Sequence, residues 1–219
     1  MAAACRTSGR PVQSVALVAV SKTVPVELLE LAIDVGHETF GENRVQEAAA
    51  KVPRLPGVEW HLVGHLQKNK ASKAVELFDV IESVDSVALA TRLDRLVGEH
   101  EAFPLGRLPV YLQVNVDADP AKAGFAPEEL ESDLADLLSL PNLEVRGLMT
   151  LGWLPEDTAD SRPTFARLRE LSERLRVDDP RLGPGLSMGM SDDFEVAIEE
   201  GSTLVRVGRA LFGERPATA

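Results

Sequence analysis

Short runs rich in valine, isoleucine and leucine alternate along this chain with longer stretches of helical period, and nothing else in the sequence constrains the fold as strongly. Such an order builds βαβ units around a parallel sheet. Strands are expected at residues 15–20, 37–40, 59–63, 80–83, 110–116, 144–149, 185–187 and 203–207. Eight strands share 219 residues at about 27 apiece, near the ~30 of a (β/α)₈ barrel of ordinary size. The expected fold is α/β, a single TIM barrel spanning residues 1–219, with residues 1–11 as a short N-terminal extension. An open doubly wound sheet is the alternative, since a count of βα units alone does not separate the two.

The helical stretches carry their own punctuation. Pro25 suits a first turn, and Leu28, Leu29, Ala32 and Ile33 follow at helical spacing before Gly36 stops the run. Leu130, Leu134, Leu137 and Leu138 repeat the pattern after Pro127. There is no repeat of fixed period, no low-complexity block and no linker; residues 53–57 and 180–185 read as ordinary turns.

Charge and cysteine content narrow the function. With 35 acidic against 23 basic side chains the net charge is -12, a field that repels nucleic acid and anionic membrane surfaces. No apolar run approaches the ~18 residues of a membrane span, and no secretory leader is evident. The single cysteine, Cys5, lies in a short polar stretch and has no partner, which excludes a disulfide framework or a cysteine-rich metal site. A cytoplasmic protein without nucleic-acid, membrane or metal partners is expected. A closed barrel needs no second subunit to complete its core, so a monomer is expected too.

In a barrel of this kind, chemistry collects at the C-terminal ends of the strands, often with a phosphate site after strands seven and eight. Lys22 follows the first apolar run directly. A barrel mouth would desolvate its amine, lower its pKa and make it a nucleophile toward a carbonyl. A solvated strand-end lysine is the plain alternative. After strand seven, Ser191 precedes a helix-like stretch at 192–200; it is either an N-cap or a hydroxyl donor to a phosphate at that helix start. Asp192 and Asp193 must point away if an anion binds there. After strand eight, Gly208 permits close backbone approach, and the next N–H groups are unsatisfied helix donors.

Strand eight closes against strand one, so an anion at Ser191 and Gly208 would lie beside Lys22. One small ligand carries both the aldehyde and the phosphate these groups call for: pyridoxal 5'-phosphate. Arg206, inward-facing on the same strand, could donate to the pyridine nitrogen; being always charged and donor-only, it would leave that nitrogen unprotonated and the ring a weak electron sink.

These residues resemble the pyridoxal phosphate homeostasis protein family, also called the proline synthetase co-transcribed homologues, over almost the whole chain. The likeness rests on the blocks at 17–23 (LVAVSKT), 40–47 (FGENRVQE), 60–70 (WHLVGHLQKNK), 147–149 (GLM), 186–191 (LSMGMS) and 201–213 (GSTLVRVGRALFG). The resemblance implies a barrel like the N-terminal domain of alanine racemase, with the cofactor held as a Schiff base on Lys22. It further implies Arg206 as the pyridine-nitrogen partner, Ser191 with the backbone of Gly208 and Arg209 as the phosphate cradle, and Asn43 near the ring. Asn43 is alternatively a helix-start contact with Glu47, and His65 is either a pocket residue or a rim histidine. Two departures stand out: the helix before the first strand is short, and Arg209 replaces a small residue, adding bulk and charge.

The function this implies is intracellular cofactor homeostasis, that is, buffering pyridoxal phosphate and supplying it to apo-enzymes, without robust turnover and with no catalytic residue assigned. An amino-acid racemase is the enzyme alternative, but it needs an acid/base on each face of the substrate carbon. The chain ends soon after the barrel, and its one tyrosine, Tyr111, falls at the start of strand five, away from the mouth. A Schiff-base aldolase acting on a sugar phosphate would use the same lysine and anion site.

Overall fold

A computed structural model describes residues 1–100, 106–152 and 161–213; residues 101–105, 153–160 and 214–219, all within the expected domain, lie outside the described residues. Eight parallel strands close into a barrel in sequence order: β1 Ala16–Val20, β2 Thr39–Glu42, β3 Glu59–Leu62, β4 Val80–Val84, β5 Leu108–Gln113, β6 Leu143–Met149, β7 Gly185–Ser187 and β8 Leu204–Val207. Closure removes the open-sheet alternative. The seam is β8 against β1, with Leu204 opposite Ala16 and Val207 opposite Ala19. All eight expected strands are present. The largest boundary shifts are at β2, which starts and ends two residues later, and at β5, which starts two residues earlier and ends at Gln113.

Strand alternation sorts side chains to the two faces of the wall. Val18, Val63, Val80, Tyr111, Met149 and Leu204 form one apolar cluster inside the barrel. Phe40, Trp60, Ile81, Val110, Leu112 and Leu148 face the other way and pack with helix residues such as Leu29, Leu93 and Leu130. The same alternation puts Glu42 outside the wall, next to outward Phe40 by two, and Glu82 inside it, two residues from Val80.

Helix α2 (Val26–Asp34) starts after Pro25, and α5 (Val87–Gly98) is capped by Ser86, whose Oγ accepts from Leu89 N at 3.3 Å. Helix α6 (Pro127–Leu138) buries the four leucines that the spacing singles out, and Glu129 accepts from the Ala126 N–H at its start. The outer core deepens with each such stripe, at about 1.5–3 kcal/mol per fully buried leucine.

The N-terminal segment forms the short helix expected before the first strand, α1 (Ala2–Thr7). Although it lies in a polar stretch, Cys5 is fully buried, because it joins Ala4, Val15, Ile198, Val205 and Val207 in an apolar cluster over the outer face of β8. Arg10 fastens the segment by donating to the Ile198 carbonyl at 2.8 Å. Among the described residues, no helix is long and apolar enough to cross a membrane.

Candidate functional site

The C-terminal ends of β1, β2 and β8 and the loop after β7 enclose a cavity of about 440 Å³. Lys22, Asn43, Ser191, Arg206, Gly208 and Arg209, picked from the sequence, all line it. Val20, Val63, Leu151 and Met190 add apolar wall, and Asp192 stands among them.

Lys22 is half-buried and sits in a tight turn in which Val24 N donates to Ser21 O at 2.9 Å. Its neighbour Thr23 has φ +64°, a left-handed conformation unfavourable for a β-branched residue. Two side chains of α3 (Val45–Lys51) hold that turn. Glu47 accepts from the Thr23 N–H at 3.2 Å, and the Lys51 ammonium donates to the Ser21 carbonyl at 2.6 Å. Lys51 also donates to Glu42 Oε1 at 2.6 Å, and Ser21 Oγ donates to the same oxygen at 2.7 Å. The backbone at Asn43 is packed against the segment after β3: a Cβ at Gly64 would lie 2.3 Å from the Asn43 carbonyl, so only glycine lets the two backbones approach.

Ser191 is not a helix cap. Helix α8 (Phe194–Glu199) begins three residues later, and Asp193 occupies the N-cap position. The Ser191 hydroxyl instead accepts from the backbone N–H groups of Gly208 at 3.2 Å and Ala210 at 3.4 Å, so two donors converge on one oxygen at the rim. A Cβ at Gly208 would stand 3.0 Å from the Val20 carbonyl, which keeps this backbone pressed against the end of β1. Of the two aspartates, only Asp192 departs from expectation. Asp192 does not turn away: it pairs with the Arg209 guanidinium at the cavity edge, and each charge offsets the other. Asp193 does point away from the cavity, accepting from Met190 N at 2.7 Å; burial pushes its carboxyl above the usual range.

Arg206, 3% exposed, points into the barrel as the alternation predicts. It donates to the Thr150 carbonyl at 2.8 Å and to Ser187 Oγ. Ser187 in turn donates to Glu82 Oε2 at 2.5 Å, and Glu82 Oε1 meets His61 Nδ1 at 2.5 Å. Since β4 and β7 are not neighbours, this chain of contacts spans the barrel interior. Burial alone would push the Glu82 carboxyl up, but the His61 hydrogen bond and charge, then Arg206 and Ser187, hold it below the usual value. Burial likewise works against a charged His61, yet Glu59 and Glu82 raise it to about 9. Glu59 lies 3.4 Å from His61 Nε2, near enough for attraction but without the alignment of a hydrogen bond.

Two residues fall elsewhere. His65 pairs with Asp85 at 2.9 Å on a largely exposed side chain and does not line the cavity. Tyr111 is mid-strand in β5, not at its start, and faces a second cavity of about 440 Å³ at the opposite end of the barrel, with Arg107, Glu144 and Arg146. Sequence reasoning missed the Glu42–Lys51 and His61–Glu82–Ser187 clusters. A lone carboxylate inside the runs TFGE and VIESV was the available signal.

Residues 3–216 match the family described as alanine racemase, N-terminal domain. The pyridoxal phosphate homeostasis protein of Aquifex aeolicus (strain VF5) is 41% identical over 214 residues, covering 97% of this chain and 92% of that one. The protein of the same name from Pseudomonas aeruginosa is 44% identical over 218 residues, covering 97% and 90%. PipY of Synechococcus elongatus PCC7942 superimposes at TM-score 0.86 without PLP, over 95% of this chain and 97% of that one, and at 0.84 with PLP bound, over 96% and 98%; identity is 45% in both. Alanine racemase of Clostridium difficile 630, at 14% identity and TM-score 0.76, shares the fold over 99% of this chain and 59% of its own.

Proposed function

This chain belongs to the pyridoxal phosphate homeostasis protein family, and on that premise we propose that its mouth cavity binds pyridoxal 5'-phosphate, held as a Schiff base on Lys22. When bound, the cofactor supplies an aldehyde that condenses with an amine, releasing one water, and a ring that withdraws electrons. The observation that carries the reading is the convergence in one cavity of the Lys22 amine, the Arg206 guanidinium and the Ser191 hydroxyl, on which the backbone N–H groups of Gly208 and Ala210 converge.

The residues fit the group. The two N–H groups now aimed at Ser191 Oγ can share a phosphate oxygen with that hydroxyl, and backbone donors suit an anion without adding a mobile charge. The Arg209–Asp192 pair leaves the rim near neutral, so the cradle depends on dipoles and does not work against a carboxylate alone. Arg206 remains a cation and a donor, which suits an unprotonated ring nitrogen. Asn43, its backbone packed against Gly64, borders the same space.

The role we propose is to bind, buffer and release the cofactor for apo-enzymes, as a cytoplasmic monomer whose functional unit is one barrel domain. The position of Tyr111 at the far end supports this over a racemase, because it cannot serve as a second acid/base at the mouth. The isolated protein is expected to be yellow, to lose that colour in Lys22→Ala, and to yield a borohydride-fixed adduct on Lys22. Amino-acid racemisation with kcat of order 1 per second or more would overturn the carrier role. A colourless protein that reacts with sugar phosphates would favour the aldolase.

A further inference from the structure

We propose that Glu82 is a positioning residue for the cofactor ring, fixing the Arg206 guanidinium through the Ser187 hydroxyl. The inference rests on the cofactor reading above and extends it to a residue that does not line the cavity.

The direction of the hydrogen-bond chain is forced by chemistry. Arginine has donors only, and an ionised carboxylate has acceptors only. Ser187 has one proton and sits between them, so it gives that proton to Glu82 Oε2 and accepts from Arg206. Glu82 also lies 3.9 Å from the guanidinium, and Thr150 O takes a second donor on the other nitrogen. Arg206 is thereby held at two terminal nitrogens in one rotamer. The other charged groups near it are His61, beyond Glu82, and Asp193, which opposes the pull of burial on the guanidinium.

Stability does not explain a carboxylate at this place. Val80, Ile81, Ser83 and Val84 around it are all buried, and Glu82 itself is 0% exposed. Replacing buried ionic groups with apolar ones of like volume is commonly neutral or stabilising, whereas a fixed arginine is useful only if something must meet its remaining donors. Arg206 also lines the cavity, where the other polar side chains are Lys22, Asn43, Ser191 and the Asp192–Arg209 pair. A guanidinium free to swing would serve a phosphate or a carboxylate about equally; one held at both terminal nitrogens suits a single flat acceptor, such as a ring nitrogen.

Three proteins, wild type, Glu82→Gln and Ser187→Ala, are titrated with pyridoxal phosphate while absorbance and visible circular dichroism are recorded; apo-protein unfolding and the borohydride adduct are followed in parallel. The expected result is a Lys22 adduct in all three. In both variants cofactor affinity falls about tenfold, roughly the loss of one charge-assisted contact, and the absorption maximum and dichroism of the bound cofactor shift. A purely structural role would lower the unfolding midpoint and leave that spectrum in place. Either variant folding cooperatively with wild-type affinity and wild-type spectrum overturns the proposal. If Glu82→Gln does not fold, Ser187→Ala, which removes one hydroxyl and leaves both charges, decides alone. If wild type itself takes up no pyridoxal phosphate, the cofactor reading fails first and this inference with it, an outcome visible before any variant is compared.

Discussion

Two buried carboxylates, Glu42 at the end of β2 and Glu82 in the middle of β4, face opposite sides of the barrel wall and lead to different partners. Both are 0% exposed. Glu42 lies outside the wall, meets one cation, Lys51, and has one oxygen, Oε2, without a hydrogen-bond partner. Its contacts lead to backbone: Ser21 O, and through it the turn that carries Lys22. Glu82 lies inside the wall, has both oxygens engaged, and is flanked by two cations, His61 and Arg206. Its contacts lead to a side chain that borders the cavity. A carboxylate tied to backbone sets where the chain goes; one tied to a side chain sets how a ligand is met. Damage to the first should therefore read out mainly in stability, and damage to the second in binding and colour as well as in stability.

The strongest way to break that contrast is Lys51→Met. It leaves Glu42 buried with only the Ser21 hydroxyl, and the cost should be about 3–5 kcal/mol in chemical denaturation near pH 7, together with a slower or weaker Lys22 adduct. A loss below about 1 kcal/mol would mean the pair is not structural. Next comes pH. His61 has its folded pKa raised to about 9 from an ordinary 6.5, so its contribution is complete below about pH 6.5 and is lost as pH rises through about 9. Unfolding free energy should fall across that window by something on the order of 3 kcal/mol, and His61→Gln should flatten the curve. A flat wild-type profile would show that Glu59 and Glu82 do not hold the proton.

Smaller effects test the turn and the rim. Glu47→Ala removes the acceptor on the strained Thr23 and should cost about 1 kcal/mol, and Thr23→Gly should recover part of it because glycine takes φ +64° without strain. No recovery in the double variant would locate the strain elsewhere. Asp192→Asn breaks a half-exposed pair with Arg209, so stability should change by less than about 0.5 kcal/mol. Its cofactor affinity should rise slightly, since one negative charge leaves the rim; a fall would assign Asp192 a binding part.

Much of this was legible in the sequence for a simple reason. Parallel strands buried on both faces read as apolar runs, and barrel chemistry sits at predictable strand ends, so Lys22, Arg206 and Gly208 could be placed from order alone. What was not legible depended on contacts between distant segments. Glu82 meets Ser187 across 105 residues, and nothing near either position hints at the other. Cys5 looked polar in its surroundings because its apolar partners, Ile198 and Val205, come from the far end of the chain. Ser191 read equally as a cap or as a phosphate donor, because the backbone donors that meet its hydroxyl lie 17 and 19 residues later. The Asp192–Arg209 pair was hidden the same way, since Asp192 alone reads as repulsive to an anion and Arg209 alone as added bulk and charge.

The central claim, that Lys22 is the anchor in a cavity built for pyridoxal phosphate, is tested most directly by borohydride reduction of the cofactor-loaded wild-type protein followed by peptide mass mapping. A single reduced adduct on the peptide containing Lys22, absent from Lys22→Ala, is the expected result. An adduct on Lys51, Lys68 or Lys122, or none at all in a protein that still binds the cofactor, would contradict it.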